Sequence, residues 1–120
     1  MTVRPEDLAH TLVARQRARR EAARARAAEL RQLVEDEVRA ILGQGLARRA
    51  WLIGSLARGA HGARSDVDVV VEGASPEQVG ALWARLVELL GAEVDLLRLE
   101  DLSESFRRRV LAEGVPFHVP

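Results

Sequence analysis

The stretch GSLARGAHGARSDVDVVV, residues 54–71, is the most informative part of this chain. It places a Gly-Ser turn ahead of an apolar run that holds two carboxylates, Asp66 and Asp68. Side chains two residues apart in an extended strand point to the same face. A strand over 67–71 therefore turns Val67, Val69 and Val71 toward a core and both aspartates toward the opposite face.

Two carboxylates held side by side repel each other, and each raises the pKa of its neighbour unless a cation neutralises them. A hard divalent ion meets that need. Mg²⁺ prefers one or two carboxylates together with substrate phosphates and water. The pattern therefore predicts that Asp66 and Asp68 bind Mg²⁺, with Mn²⁺ as an alternative ion.

The Gly54-Ser55 pair follows the apolar segment RAWLI and precedes a predicted short helix, SLARG. A glycine lets a ligand approach the backbone closely, and a helix N-terminus presents unpaired N–H groups to an anion. Ser55 adds a hydroxyl donor and Arg58 a positive charge. We expect these residues, together with Ser65, to bind phosphate, although the lysine of a P-loop is absent.

The N-terminal third of the chain is predicted to be helical from about Pro5 to about Leu42. Pro5 suits a first helical turn, and apolar residues recur at helical spacing in the second half of the segment. In its middle, RQRARREAARAR at 15–26, alanine is the only apolar residue type. The pattern leaves open whether this is one rod or two helices. We expect a helical extension over 1–45 and a folded core over 46–120.

The remaining segments alternate between strand and helix. Strands are predicted at 49–53, 67–71 and 92–99, and helices at 76–90 and 102–113, followed by a short extended tail. Ser75 and Pro76 begin the first of these helices and Gly91 ends it. Trp51 and Trp83 are expected in the core. The order predicts a small mixed sheet with helices packed on one side, an α/β or α+β fold.

Composition narrows the functional classes. The 120 residues suit one domain, and with no cysteine there are no disulfides and no thiolate metal site. No apolar run is long enough to span a membrane, and no secretion signal is visible at the N-terminus, so we expect a cytoplasmic protein. Every Lys/Arg position is arginine, a bias that also fits GC-rich coding.

The motifs resemble the polymerase-β-like nucleotidyltransferases, and in particular the minimal nucleotidyltransferases. Gly54-Ser55, ten intervening residues and Asp66-Val67-Asp68 match the GS-x10-DxD signature of that superfamily. The segment EVDLLRLEDL supplies a third carboxylate, Asp95, in the expected apolar context. The resemblance covers about residues 51–117 and does not include the long N-terminal helix.

The resemblance implies a polymerase-β-like core and a two-metal reaction. Asp66 and Asp68 would bind the metals that bridge a triphosphate, and Asp95 would complete the second metal site and orient or deprotonate the attacking hydroxyl. Gly54 and Ser55 would hold the β- and γ-phosphates. The implied reaction transfers a nucleoside monophosphate, AMP from ATP, to a hydroxyl acceptor and releases pyrophosphate.

Three hypotheses about function follow. The first is an ATP-using transferase that acts as the antitoxin of a HEPN-domain partner. The second is a non-catalytic antitoxin that binds nucleotide and neutralises its partner by occlusion. The third is an RNA-directed nucleotidyltransferase whose arginine-rich helix holds nucleic acid, which we do not favour. The same helix is a candidate surface for homo-oligomers.

Overall fold

Residues 4–59 and 66–119 are described by the computed structural model. These residues form four helices and four strands. The helices are α1 (Pro5–Gly43), α2 (Gly54–Ala57), α3 (Pro76–Leu90) and α4 (Glu104–Glu113), and the strands are β1 (Arg49–Ile53), β2 (Val67–Glu72), β3 (Val94–Arg98) and β4 (Val115–Pro116), with a 3₁₀ turn at Leu99–Asp101.

Helix α1 is one continuous rod of 39 residues, which answers the question that the sequence left open. It starts with Pro5 in its first turn and carries Glu6 and Asp7 at its positive end. Between Pro5 and Gly43 there is no glycine or proline to break it. The helix makes the molecule elongated, with principal extents of 65 × 30 × 25 Å.

The sheet has the strand order β3-β2-β1-β4. Strand β1 pairs with β2 and with β4 in antiparallel fashion, whereas β2 and β3 are parallel. The parallel pair is joined through α3, as expected for a crossover connection. The predicted mixed sheet and α+β class are confirmed, and β4 adds a short edge strand to what had been expected as a tail.

The ends of α3 follow from local sequence signals. The Ser75 hydroxyl accepts a hydrogen bond from the Gln78 backbone N–H, and the Gln78 side chain accepts one from the Ser75 backbone N–H. This reciprocal arrangement satisfies two N–H groups that the helix leaves unpaired. Gly91 ends the helix in the left-handed region, at φ 59°.

The core lies mainly on one face of the sheet. Val67, Val69 and Val71 of β2 pack there against α1 and α3. The second half of α1 supplies four of the buried side chains, Val34, Val38, Ile41 and Leu42. The two long helices thus lie on one side of the sheet, as predicted.

The opposite face carries a smaller apolar cluster. Trp51, Val70, Leu99 and Val110 are buried together, with Phe106 of α4 packed against them. The short helix α4 therefore covers part of this second face, so the prediction that the helices pack on one side of the sheet is wrong for α4. Since the side chain of Asp68 alternates with those of Val67 and Val69, it lies on the face that α4 partly covers.

The two tryptophans differ in their surroundings. Trp51 is buried as predicted, but Trp83 is 47% exposed, so its prediction as a core residue is wrong. Its indole Nε1 donates a 2.7 Å hydrogen bond to the Val94 carbonyl, which fixes the ring at the outer edge of α3 and β3. Across the parts of the chain that are described, none of the helices combines the length and the apolar character needed to span a bilayer.

Candidate active site

The parallel pairing of β2 and β3 brings two of the predicted site residues side by side. Asp68 and Asp95 are register partners across these strands, and Ile53 of β1 is the partner of Asp68 on its other side. Asp68 is half-buried, whereas Asp95 is exposed at the edge strand. Asp66 is also exposed and lies immediately before β2.

The side chains of Asp68 and Asp95 project from directly paired positions of the parallel strands β2 and β3. The pKa of Asp68 is raised, first by its burial, then by a side-chain hydrogen bond with Asp95 and by the negative charges of Asp95 and Asp66. Each of these causes favours the protonated form of Asp68. A cation between the two side chains would reverse that preference.

This donor set fits a hard divalent ion. Both groups are carboxylates, and Mg²⁺ characteristically takes one or two of them and completes its shell with phosphate and water. Within residues 4–59 and 66–119, no three acidic or histidine side chains come close enough to form a metal site by themselves. Asp68 and Asp95 are the paired carboxylates, and the negative charge of Asp66 also raises the pKa of Asp68. The metal site formed by all three carboxylates stays a prediction.

Gly54 lies against the carboxylate pair. Its backbone has φ +76°, in the region that favours glycine, and a Cβ built there would collide with Oδ2 of Asp68. The sequence explained this glycine by the approach of a ligand. The structure adds another reason, which is that α2 begins directly beside Asp68.

The remaining predicted phosphate residues lie around this turn. Ser55 is half-buried in the first turn of α2, and Arg58 is exposed at the C-terminal end of that helix. Ser65 falls outside the described residues. The predicted contacts of Gly54, Ser55, Arg58 and Ser65 with phosphate stay predictions.

A cavity of about 230 Å³ opens next to Gly54 and Arg58, between α2 and α4. Phe106 and Val110 give it an apolar wall, and Arg109 adds a second guanidinium. Sequence reasoning did not select Phe106 or Arg109. The RRRV segment of α4 resembles an exposed helical face, and only the folding of α4 over β1 brings it to the site.

A second, more open depression of about 600 Å³ reaches Asp95 from the edge of the sheet. Trp83, Val87 and Glu93 line it. The cavity beside α2 includes Gly54, the neighbour of Asp68, and the depression at the sheet edge includes Asp95.

Comparison with known proteins identifies the family. The sequence model of the family described as Polymerase beta, Nucleotidyltransferase matches residues 35–118. That range contains the whole sheet, α2 to α4 and the final turns of α1. No curated protein sequence matches the chain.

Solved structures share the fold. A toxin–antitoxin complex with AMP-PNP has 23% identity and a TM-score of 0.61, covering 72% of this chain and 73% of that one. A protein provisionally described as a minimal nucleotidyltransferase has 29% identity and a TM-score of 0.57, covering 80% and 93%.

A third neighbour is a chain in the structure of the tri-AMPylated Shewanella oneidensis HEPN toxin in complex with MNT antitoxin. It has 22% identity and a TM-score of 0.56, covering 74% of this chain and 72% of that one. The match to the family therefore rests on most of the chain, and the solved structures agree with it in fold. The chain belongs to the polymerase beta nucleotidyltransferase family.

Proposed function

We propose that this protein is a metal-dependent nucleotidyltransferase that transfers AMP from ATP to a hydroxyl group of a protein partner. The observation that carries the proposal is the pairing of Asp68 with Asp95 on adjacent strands, because a half-buried carboxyl group with a raised pKa beside a second carboxylate suits a cation site. The family assignment supports the same class of reaction.

The reaction is an in-line displacement at phosphorus. The acceptor oxygen forms a bond to the α-phosphorus of ATP, while the bond from that phosphorus to the bridging oxygen breaks and pyrophosphate leaves with the electron pair. The hydroxyl proton passes to Asp95 or to water. Mg²⁺, when bound, supplies positive charge that stabilises the entering and leaving oxygens.

The residues have separate roles in this proposal. Asp66 and Asp68 hold Mg²⁺, and Asp95, at the edge strand, orients the acceptor hydroxyl. Gly54, Ser55 and Arg58 contact the triphosphate, and the cavity beside Phe106 receives the adenosine end. The open depression at Asp95 leaves the acceptor its own approach.

The partner is proposed from the solved neighbours. One is a toxin–antitoxin complex with a bound ATP analogue, and another contains an AMPylated HEPN toxin with its antitoxin. We infer that this chain modifies a HEPN-domain protein in the same manner and thereby acts as its antitoxin. The second hypothesis, in which the chain neutralises its partner by occlusion alone, requires no transfer of AMP.

The test compares Asp68→Asn with the wild-type protein. Purified protein, Mg²⁺, ATP labelled at the α-phosphate and a HEPN-domain protein from the same genome are incubated, and labelled protein is counted. We expect Asp68→Asn to lower transfer at least 100-fold, since removing a metal ligand costs several kcal/mol of charge stabilisation. Asp36→Asn, on the exposed surface of α1, is the matched control and should keep full activity.

The outcome also separates the alternatives. If Asp68→Asn neutralises the toxin as well as the wild-type protein without any transfer, the occlusion hypothesis is correct. If the label appears in RNA rather than in protein, the chain is an RNA-directed transferase. Transfer by Asp68→Asn at the wild-type rate would refute the proposed site.

A further inference from the structure

Residues 5–26 of α1, here named the basic arm, project from the folded body. Every residue from 4 to 22 is exposed, and Ala27 is the first buried residue of the helix. At 1.5 Å per residue, the 22-residue arm extends about 33 Å. An apolar core therefore does not explain why this part of the chain is so long.

The basic arm concentrates positive charge. Residues 15–26 contain six arginines and only Glu21 as an acid, a net charge of +5. Because the chain as a whole has no net charge, the remainder carries −5. None of the ion pairs formed within the described residues includes these six arginines.

The six arginines form two rows. Successive residues of an α-helix are about 100° apart around its axis. Viewed down that axis, one row spans an arc of about 40° and the other an arc of about 60°, and the centres of the two arcs are about 150° apart. The first row comprises Arg15, Arg19 and Arg26, and the second comprises Arg17, Arg20 and Arg24. The basic arm thus presents positive charge on nearly opposite sides.

This arrangement opposes self-association through the basic arm. Leu8 and Leu12 are the exposed apolar residues from which a coiled-coil seam would start. Continued along the helix, that seam runs into the row of Arg15, Arg19 and Arg26. Two copies packed along it would bury like charges against each other, which is unfavourable.

A polyanion that lies on both sides of the helix can form ion pairs with both rows of arginines at once. The major groove of duplex DNA, about 12 Å wide, admits an α-helix between two lines of phosphates. The corresponding groove of A-form RNA is deep and narrow. The arm has no Phe, Tyr or Trp on which single-stranded bases could stack, and its one ring is that of His10.

We propose that the basic arm binds duplex DNA in the major groove, through phosphates and without sequence preference. Arginine suits this role because its fork keeps its charge and contacts phosphate oxygens in pairs. Residues 27–120 hold 11 arginines and 15 acidic residues, a net charge of −4, which disfavours DNA binding by the folded body. This activity is independent of nucleotide transfer.

The test measures the anisotropy of a fluorescein-labelled 20-base-pair duplex with the full chain at 50–200 mM NaCl. We expect a slope of log K against log salt near −4.5, for about five phosphate contacts, and a several-hundred-fold loss of affinity across that range. The triple variant Arg15→Gln, Arg19→Gln, Arg26→Gln should lower the slope to about −2 and the affinity at 50 mM more than tenfold.

Two controls isolate the effect of the basic arm. Arg39→Gln, Arg107→Gln, Arg108→Gln removes the same charge from exposed positions elsewhere and should bind DNA like the wild-type protein. Asp68→Asn should also bind normally, which separates this activity from the proposed transferase. Circular dichroism checks that α1 keeps its helicity in each variant.

Four outcomes would overturn the proposal. They are a flat salt dependence, equal binding by the two triple variants, tighter binding to duplex or single-stranded RNA than to the DNA, and a concentration-dependent dimer whose formation depends on Arg15, Arg19 and Arg26. The third would assign the basic arm to RNA, and the fourth would assign it to a second copy of the chain.

Discussion

At the residue scale, the proposed chemistry depends on how closely Gly54 and Asp68 approach. Strand β1 ends at Ile53, the register partner of Asp68, so the next residue must turn away beside that carboxyl group. Its positive φ is accessible to glycine without strain, and the missing Cβ leaves space for Oδ2 of Asp68. The same geometry holds the start of α2 at the candidate active site.

Replacement of Gly54 with alanine should therefore damage both stability and activity. The new Cβ would meet Asp68 and the backbone would be strained, which together cost about 1–3 kcal/mol of unfolding free energy. We expect a lower urea midpoint and a large loss of nucleotidyl transfer.

The matched control for this change is Gly80→Ala. Gly80 lies on the exposed face of α3, and a Cβ there meets nothing within 4 Å. An alanine in a helix interior should raise stability by about 0.5–1 kcal/mol. The argument fails if Gly54→Ala unfolds and reacts like the wild-type protein.

At the element scale, local signals set the bounds of the helices but not the contacts between strands. Ser75 and Gly91 act on neighbouring residues, so the ends of α3 could be predicted from the sequence. The pairing of Asp68 with Asp95 depends on the parallel register of β2 and β3, which the residues alone do not specify. Asp95 was selected through the family resemblance. The prediction that Trp83 lies in the core was wrong because helical spacing shows only that the residue faces the sheet. It does not show whether that position lies over the centre of the sheet or at its edge.

The pairing of β1 with β2 carries an electrostatic contribution that depends on pH. Arg49 and Glu72 are directly opposite, and the Arg49 guanidinium donates two hydrogen bonds of 2.8 Å to the Glu72 carboxylate. The hydrogen bond from Arg49 is the largest cause that lowers the pKa of Glu72. This pair stabilises the protein above the usual glutamate pKa, and the stabilisation is lost as pH falls through the lowered value.

Glu72→Gln should consequently destabilise the protein by about 1 kcal/mol at pH 7, a magnitude limited by solvent screening. The difference from the wild-type protein should begin to shrink below the usual glutamate pKa, about 4.3, and should vanish once the pH falls below the lowered pKa of Glu72. Urea unfolding at pH 3 to 7 measures this. Glu104→Gln, which removes an exposed pair on α4, should cause little change at any pH. A constant difference across the range would contradict the assignment.

At the scale of the whole molecule, α1 has two different halves in one unbroken helix. Its second half is part of the core, since Val34 and Val38 are essentially inaccessible to solvent. The first half, by contrast, has no buried residue before Ala27. The stability of the body and the reach of the basic arm are therefore separable properties of the same helix.

Deletion of residues 1–22 should leave the body intact. Residues 4–22, the described part of the deleted segment, bury no side chain in the core, so the free energy of unfolding should stay within about 0.5 kcal/mol of the full chain, with an unchanged m-value. Val38→Ala, which opens a cavity under the sheet, should by contrast cost about 2–3 kcal/mol. Small-angle scattering should report a smaller radius of gyration for the shortened chain than for the intact protein. A loss of stability on deletion comparable to that of Val38→Ala would mean that the basic arm packs on the body, and the separation of the two halves would be wrong.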